Sequence, residues 1–278
     1  MPYNVCIMSD TAIQPKVRGR AAPLARRRWP LVRRYAPSAL LFIILLGALQ
    51  LALPALGVPS YLVPTPARVL ARLLDPSSGL FGHLAVTATA GISGLMIGSV
   101  AGVVLAGFFV AVRPAERALY PWVIVSQTLP VAALAPLLTI WLGNGIAPRI
   151  AMAALFAFFP VLVNTAQGLR RINAEQLDLL RAWGASPAQI FRLLRAPACL
   201  PTLFASLKIA STLAVVGTVV GELAGSSSGL GYVISIATYH LRTDQVFAAI
   251  TLASSLSLAL YVGIVAAERR VVFWQHDR

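Results

Sequence analysis

The chain has 278 residues, of which 58% are apolar and only 12% charged, with a formal charge of +14. Soluble domains run about 45–50% apolar and about 25% charged, so these residues cannot assemble a fully water-facing surface and lipid must solvate much of the chain. The basic residues sit in a leader and in links between apolar runs rather than on one face of a soluble fold, which excludes nucleic acid as the partner.

Eight basic residues precede Tyr35: Lys16, Arg18, Arg20, Arg26, Arg27, Arg28, Arg33 and Arg34. The apolar run that follows, Ala36–Leu53, exceeds the roughly 7–15-residue core of a signal peptide, so it reads as a retained anchor. Six membrane-length segments follow in order: Ala36–Leu56, His83–Val112, Leu119–Leu142, Ile150–Leu169, Thr202–Leu223 and Val246–Ala267. Helices satisfy their own backbone hydrogen bonds in lipid, and the weak alternation argues against a barrel, so the expected fold is an all-α polytopic membrane protein.

Basic residues in alternate links set the orientation. With the N-terminus in the cytoplasm, the cytoplasmic side holds the leader, Arg113 and Arg117, then Arg170, Arg171, Arg181, Arg192 and Arg195, then Arg269, Arg270 and Arg278. The outer side holds only Arg68, Arg72, Arg149 and Arg242. Both termini are therefore expected in the cytoplasm. Cys6 and Cys199 fall in cytoplasmic segments, where neither a disulfide framework nor a thiol–metal site is expected.

In the first outer link Thr65-Pro66 reads as an N-cap and first helical position, with Val69, Leu70, Leu73 and Leu74 on one face of a short interfacial helix. Gly94, Gly98 and Gly102 in span two form successive small-xxx-small steps that allow backbones to approach. In span three Ser126, Gln127 and Thr128 precede Leu129-Pro130, where proline frees a carbonyl and permits a kink. These polar groups line a pathway or make helix-packing contacts. Lys208, near the cytoplasmic end of span five, can snorkel. Glu222, near the outer end, is either functional or paired with Arg242 or a backbone amide. Gly225–Gly231 reads as a flexible outer turn.

The fourth link, about residues 171–201, is polar and carries two helical patterns. Asn173–Ala182 places Leu177 and Leu180 on one side, and Gly184 can end that helix in a left-handed conformation. Ser186-Pro187 opens a second helix striped by Ile190, Leu193 and Leu194, with Pro197 and Pro201 marking the entry to span five. Such an insert has no role in stabilising a bilayer protein and reads as a socket for a soluble partner.

These residues resemble the EAA loop of membrane subunits of ABC importers: Glu-Ala-Ala, three residues, Gly, nine residues, Ile-x-Leu-Pro. Here Asp178-Leu179-Leu180 takes the triplet, Gly184 the glycine and Leu194-x-Ala196-Pro197 the last four places, with the spacing kept. The resemblance runs from about Tyr61 to Ala267. Tyr61–Pro66, Pro130–Leu137 with Trp141-Leu142-Gly143, and Gly229–Tyr232 are similar to the nitrate/sulfonate/taurine branch, which also includes transporters of pyrimidine precursors and some aromatic acids. The resemblance implies a type I importer fold: a basic cytoplasmic segment (1–35), a permease domain (36–267) and a cytoplasmic tail (268–278). Leu177, Asp178, Leu179, Leu180, Gly184, Ala185, Ser186, Leu194 and Pro197 would couple to the ATPase; Ser126, Gln127, Pro130 and Glu222 are pathway candidates. It also implies a second copy of the chain, two cytoplasmic ATP-binding subunits and an extracytoplasmic solute-binding protein.

ATP hydrolysis needs a glycine-rich loop ending in Lys-Ser or Lys-Thr. The only lysines, Lys16 and Lys208, fit no such loop, so ATP and Mg²⁺ belong on a partner ATPase and no cofactor is expected on this chain. His83, His240 and His276 are scattered, with no metal spacing. An ATP-independent secondary transporter or channel is the competing reading. It would be expected to carry inverted repeats or intramembrane acid–base pairs, and neither is evident.

Overall fold

A computed structural model describes residues 31–275; the basic leader before Leu31, Cys6 and the last three residues lie outside the described residues. The chain divides into two compact units, Met1–Gly47 and Ala48–Arg278, and the second holds every element after the first helix. Among the described residues the regular structure is helical throughout.

Helix α1 spans Leu31–Ala55, α2 Pro66–Leu74, α3 Leu80–Ala111, α4 Arg113–Thr128, α5 Ala135–Leu142 and α6 Ala147–Arg170. Then come α7 (Ala174–Ala182), α8 (Pro187–Ile190), α9 (Ala196–Leu223), α10 (Leu230–Tyr239) and α11 (Thr243–Val271). Five helical segments are long and apolar enough to cross a membrane, and the sixth expected span is a broken one. Its halves, Arg113–Thr128 and Val131–Leu142, meet at 85°. Pro130 lacks the N–H that would continue the ladder and pushes Leu129 out of the helical region (ψ 135°), so the break is far larger than a kink.

A second departure lies at Pro197 and Pro201. They do not separate the loop from span five: Pro187–Leu223 runs as one 37-residue helical rod. A π turn over Phe191–Arg195 loosens the backbone just before Pro197, and the Ala196 N–H bonds back to the Phe191 carbonyl. The wider turn accommodates a ring that would otherwise collide with the preceding turn. At 1.5 Å per residue this rod is roughly 55 Å long, against a hydrocarbon layer of about 30 Å, so one end must stand clear of the lipid.

Helix α6 lies between α3 and α9. A Cβ on Gly98 would collide with the Ala154 backbone of α6, and one on Gly102 would come within 3.0 Å of the Phe158 carbonyl. From the other side, Gly217 and Gly221 of α9 face Met152, Phe156 and the Arg149 backbone. The small-residue steps in α3 therefore do bring two backbones together. Small buried residues fill the shared seam: Ala153, Ala157, Ala210 and Ala214, with Leu95 and Val161.

At one end of this bundle α2 packs Val69 and Leu73 against Leu80, Leu230, Val233, Ala248 and Ala249. Leu70 and Leu74 of the expected stripe stay exposed, and Thr65 begins the helix without a side-chain cap bond. Arg72 joins Asp75 and Asp244, each at 3.2 Å, and so ties α2 to α11. The Ser77 hydroxyl and amide hydrogen bonds hold the Asp75 carboxyl below the ordinary carboxylate range. At the other end Lys208 pairs with Glu268 of α11 at 2.8 Å rather than extending freely.

Gly98→Leu should destabilise the fold by about 1–3 kcal/mol, because a backbone carbonyl cannot yield as a side chain can. Gly107→Ala, with open space at the added methyl, should leave thermal unfolding in detergent unchanged or slightly raised. Equal unfolding temperatures for the two variants would refute the α3–α6 contact.

Candidate functional site

The loop between α6 and α9 is built from local capping rules. The Asn173 side chain accepts from the Glu175 N–H at 2.9 Å and opens α7. That helix ends where Gly184 takes φ +73°, with the Gly184 N–H bonded to the Arg181 carbonyl and the Ala185 N–H to that of Leu180. This pair of bonds is a Schellman motif, and its left-handed position suits glycine. Ser186 and Gln189 then form a reciprocal capping box, at 3.3 and 2.7 Å, that starts α8.

The loop presents two kinds of surface. Leu177, Leu180, Ala185 and Leu194 are half-buried, and Ile190 is buried. Leu179, Trp183, Phe191 and Leu193 are exposed, Trp183 by 77%. Asp178 pairs loosely with Arg181 at 3.5 Å, and Pro197 sits half-buried in the first turn of α9. Between the loop and the Gly107–Ala111 end of α3 lies a cleft of about 780 Å³. The loop thus stands off the bundle with apolar side chains uncovered, which soluble-facing segments avoid unless they receive a partner.

A second feature is a cavity of about 420 Å³ at the broken span, where Gln127 and Val131 face Phe156, Phe159 and Asn164 of α6 and Leu213 of α9. Ser126 turns back on the Val123 carbonyl at 2.8 Å, and Pro130 sits at the exposed break. Neither lines this cavity, and neither does Glu222. Asn164 has one amide proton on the Pro160 carbonyl at 2.8 Å, which orients the rest of its amide. Sequence reasoning missed Asn164; the signal was an amide four residues after a proline within an apolar span.

Glu222 is fully enclosed, 1% exposed. It accepts from the Gly231 N–H at 2.7 Å and the Thr87 hydroxyl at 2.8 Å. Thr87 in turn accepts from the Leu230 N–H at 2.8 Å, and His83 Nδ1 accepts from the Gly229 N–H at 3.1 Å. Of its two proposed partners, the backbone amide is the one present; among the described residues Arg242 makes no ion pair with it. The segment Gly225–Gly231 is therefore pinned to α3 rather than free, and its last two residues open α10. Arg149, buried on α6, donates to Ser228 at 3.2 Å and holds the same segment from a third helix. Thr87 and Arg149 were not legible as partners because each lies far from the turn in sequence.

Glu222→Ala should leave the buried Gly231 amide without an acceptor, at a cost of about 1–3 kcal/mol, and speed its hydrogen exchange at least about tenfold. Glu222→Gln keeps an acceptor and the volume and should change exchange far less. Equal acceleration in both variants would show that the charge, and not the hydrogen bond, holds the turn.

The family model described as the binding-protein-dependent transport system inner membrane component matches residues 94–272. The formylaminopyrimidine transport permease protein ThiX of Halalkalibacterium halodurans is 35% identical over 237 residues, covering 85% of this chain and 94% of that protein. The riboflavin transport system permease protein RibX of Chloroflexus aurantiacus is 33% identical over 267 residues, covering 95% and 97% respectively. Among solved structures, a bacterial ABC transporter involved in the import of the acidic polysaccharide alginate superposes with a TM-score of 0.59 at 14% identity. It covers 87% of this chain and 98% of that chain. That likeness carries the fold alone. The relatives decide against an ATP-independent transporter or channel, and ABC permease subunits are not themselves enzymes. The chain is a multi-pass inner-membrane permease subunit of the ABC importer type I fold, and it belongs to the family of binding-protein-dependent transport system inner membrane components.

Proposed function

We propose that two copies of this chain form a pathway into the cell for a small heteroaromatic solute. An extracytoplasmic solute-binding protein would deliver the solute, and two ATP-binding subunits, carrying ATP and Mg²⁺, would dock on the α7–α8 loops. The observation that carries this reading is the capped, stand-off loop with Leu179, Trp183 and Leu193 uncovered. A partner that covers those side chains gains their burial and grips a turn whose shape is fixed by Gly184. The basic bias of the same side of the chain supports a cytoplasmic loop and cytoplasmic termini.

Coupling follows from the rod. Movement of α7 and α8 by the ATPases is delivered through the helical rod that begins at Pro187 and ends at Leu223. Access to the cavity at the broken span then alternates between the two sides. The free energy for this must come from a difference in ATPase affinity between the two states.

The substrate class rests on the cavity lining. Phe156 and Phe159 offer aromatic faces, Gln127 and Asn164 offer amide donors and acceptors, and the lining has no charged side chain. Flat rings with polar edges, as in a pyrimidine, match that set, and the names of the two relatives above point the same way. A sulfonate or taurine would cross without a counter-charge, which favours the pyrimidine end of the family's range over the anionic end.

Proline at position 184 cannot take φ +73°, so Gly184→Pro should abolish substrate-stimulated ATP hydrolysis in the assembled complex. Undiminished stimulation would refute the docking role. Gln127→Leu and Asn164→Leu should each reduce uptake of a formylaminopyrimidine by about three- to tenfold, the worth of one hydrogen bond. Uptake of taurine at equal or greater rates in the unmodified protein would overturn the substrate class and leave the docking role standing.

A further inference from the structure

At the root of the loop, sharing Leu177 with it, is a cavity of about 470 Å³ that the solute pathway does not account for. Four arginines and one carboxylate line it: Arg113 and Arg117 from the start of α4, Arg170 from the end of α6, Arg195 from the π turn, and Glu116. Glu116 is already engaged by Arg170, whose guanidinium also lies 5.6 Å from the centre of the Tyr120 ring. Among the described residues no carboxylate pairs with Arg113, Arg117 or Arg195. The Nε of Arg195 is buried and has no hydrogen-bond partner. A buried guanidinium nitrogen without an acceptor is costly, and three uncompensated cations around one space call for an anion with several oxygens.

We propose that this cavity binds the phosphodiester of an anionic phospholipid. Guanidinium groups recognise phosphate through paired N–H donors, and basic pockets between membrane helices hold lipid headgroups. The volume lies within the roughly 300–1,000 Å³ of small-molecule sites. A free phosphate would satisfy the arginines equally well; the surface above them argues for a lipid. Pro121, Ile124 and Val125, one and two turns further along the Arg117 face of α4, are all exposed, a track on which an acyl chain can lie. The bound headgroup would bridge α4, the end of α6 and the base of α9, and so brace the root of the loop. This assignment does not depend on the import reading, since lipid retention can be measured on the permease alone.

The test uses the full chain in nanodiscs of mixed phosphatidylglycerol and phosphatidylcholine, with retained lipid measured by native mass spectrometry after release. The unmodified protein should retain phosphatidylglycerol in preference by about tenfold or more. Arg113→Gln and Arg117→Gln, both at exposed positions, should each lower that preference by roughly fivefold while leaving helicity unchanged. Arg242→Gln, at the far end, should leave it intact. Equal retention of the two lipids overturns the proposal. So does displacement of the lipid by millimolar inorganic phosphate, which would make the site one for a free anion. Loss of ATP-binding-subunit retention in the Arg113 and Arg117 variants with the lipid preference unchanged also overturns it, because the cavity would then be a protein contact.

Discussion

The structure depends on the approach of three helix backbones across glycine. In lipid, two apolar surfaces gain little from leaving one apolar medium for another, so helices associate through contact quality and internal hydrogen bonds. Helix α6 supplies that contact on both sides, with Gly94, Gly98 and Gly102 of α3 against one face and Gly217 and Gly221 of α9 against the other. The Glu222–Thr87–Gly231 hydrogen bonds follow from it: only because α3 and α9 are held against a common partner can Thr87 and Glu222 meet 2.8 Å apart. The pinned turn, α10 and the apolar cluster that receives α2 are then assembled on top of that junction.

What is packed tightly and what is not divides the molecule by task. The α3–α6–α9 seam is closely packed, with glycine and alanine at most of its contacts. The broken span is different, since α4 buries no side chain and α5 only Ala135. The two halves of that span meet at 85° around Leu129-Pro130, and a cavity bounded by Gln127 and Asn164 lies beside the break.

Much of this was legible from residue order. Hydrophobic length located the spans, and Asn173, Gly184 and Ser186 marked the loop's helix ends because capping is a local matter of one side chain and its nearest amides. The features that escaped are non-local. Composition made Gly225–Gly231 a flexible turn, yet its amides are held by His83 and Thr87, more than 140 positions away. Proline at 197 and 201 signalled a boundary, but the π turn that lets the helix continue leaves no mark in the sequence. Proline at 130 signalled a disturbance, and nothing in the residues gives its angle. Glu222 announced itself as an acid in an apolar span; that its partner would be an amide rather than Arg242 was decided by the path of the turn.

The unbroken helix from Pro187 to Leu223 also limits where the molecule can deform. Within it, Cys199 and Thr202 close on Gly168 of α6, and Gly217 and Gly221 close on α6 again near the Leu223 end. The stretch from Cys199 to Gly221 is riveted to a stiff neighbour at two places, so a displacement applied to it carries α6 and α3 along as a block. The compliant parts are then the α4–α5 elbow and α11, whose apolar stretch has little buried surface. Under the proposed alternating access, opening and closing becomes a question of how those two outer pieces swing about a fixed keel.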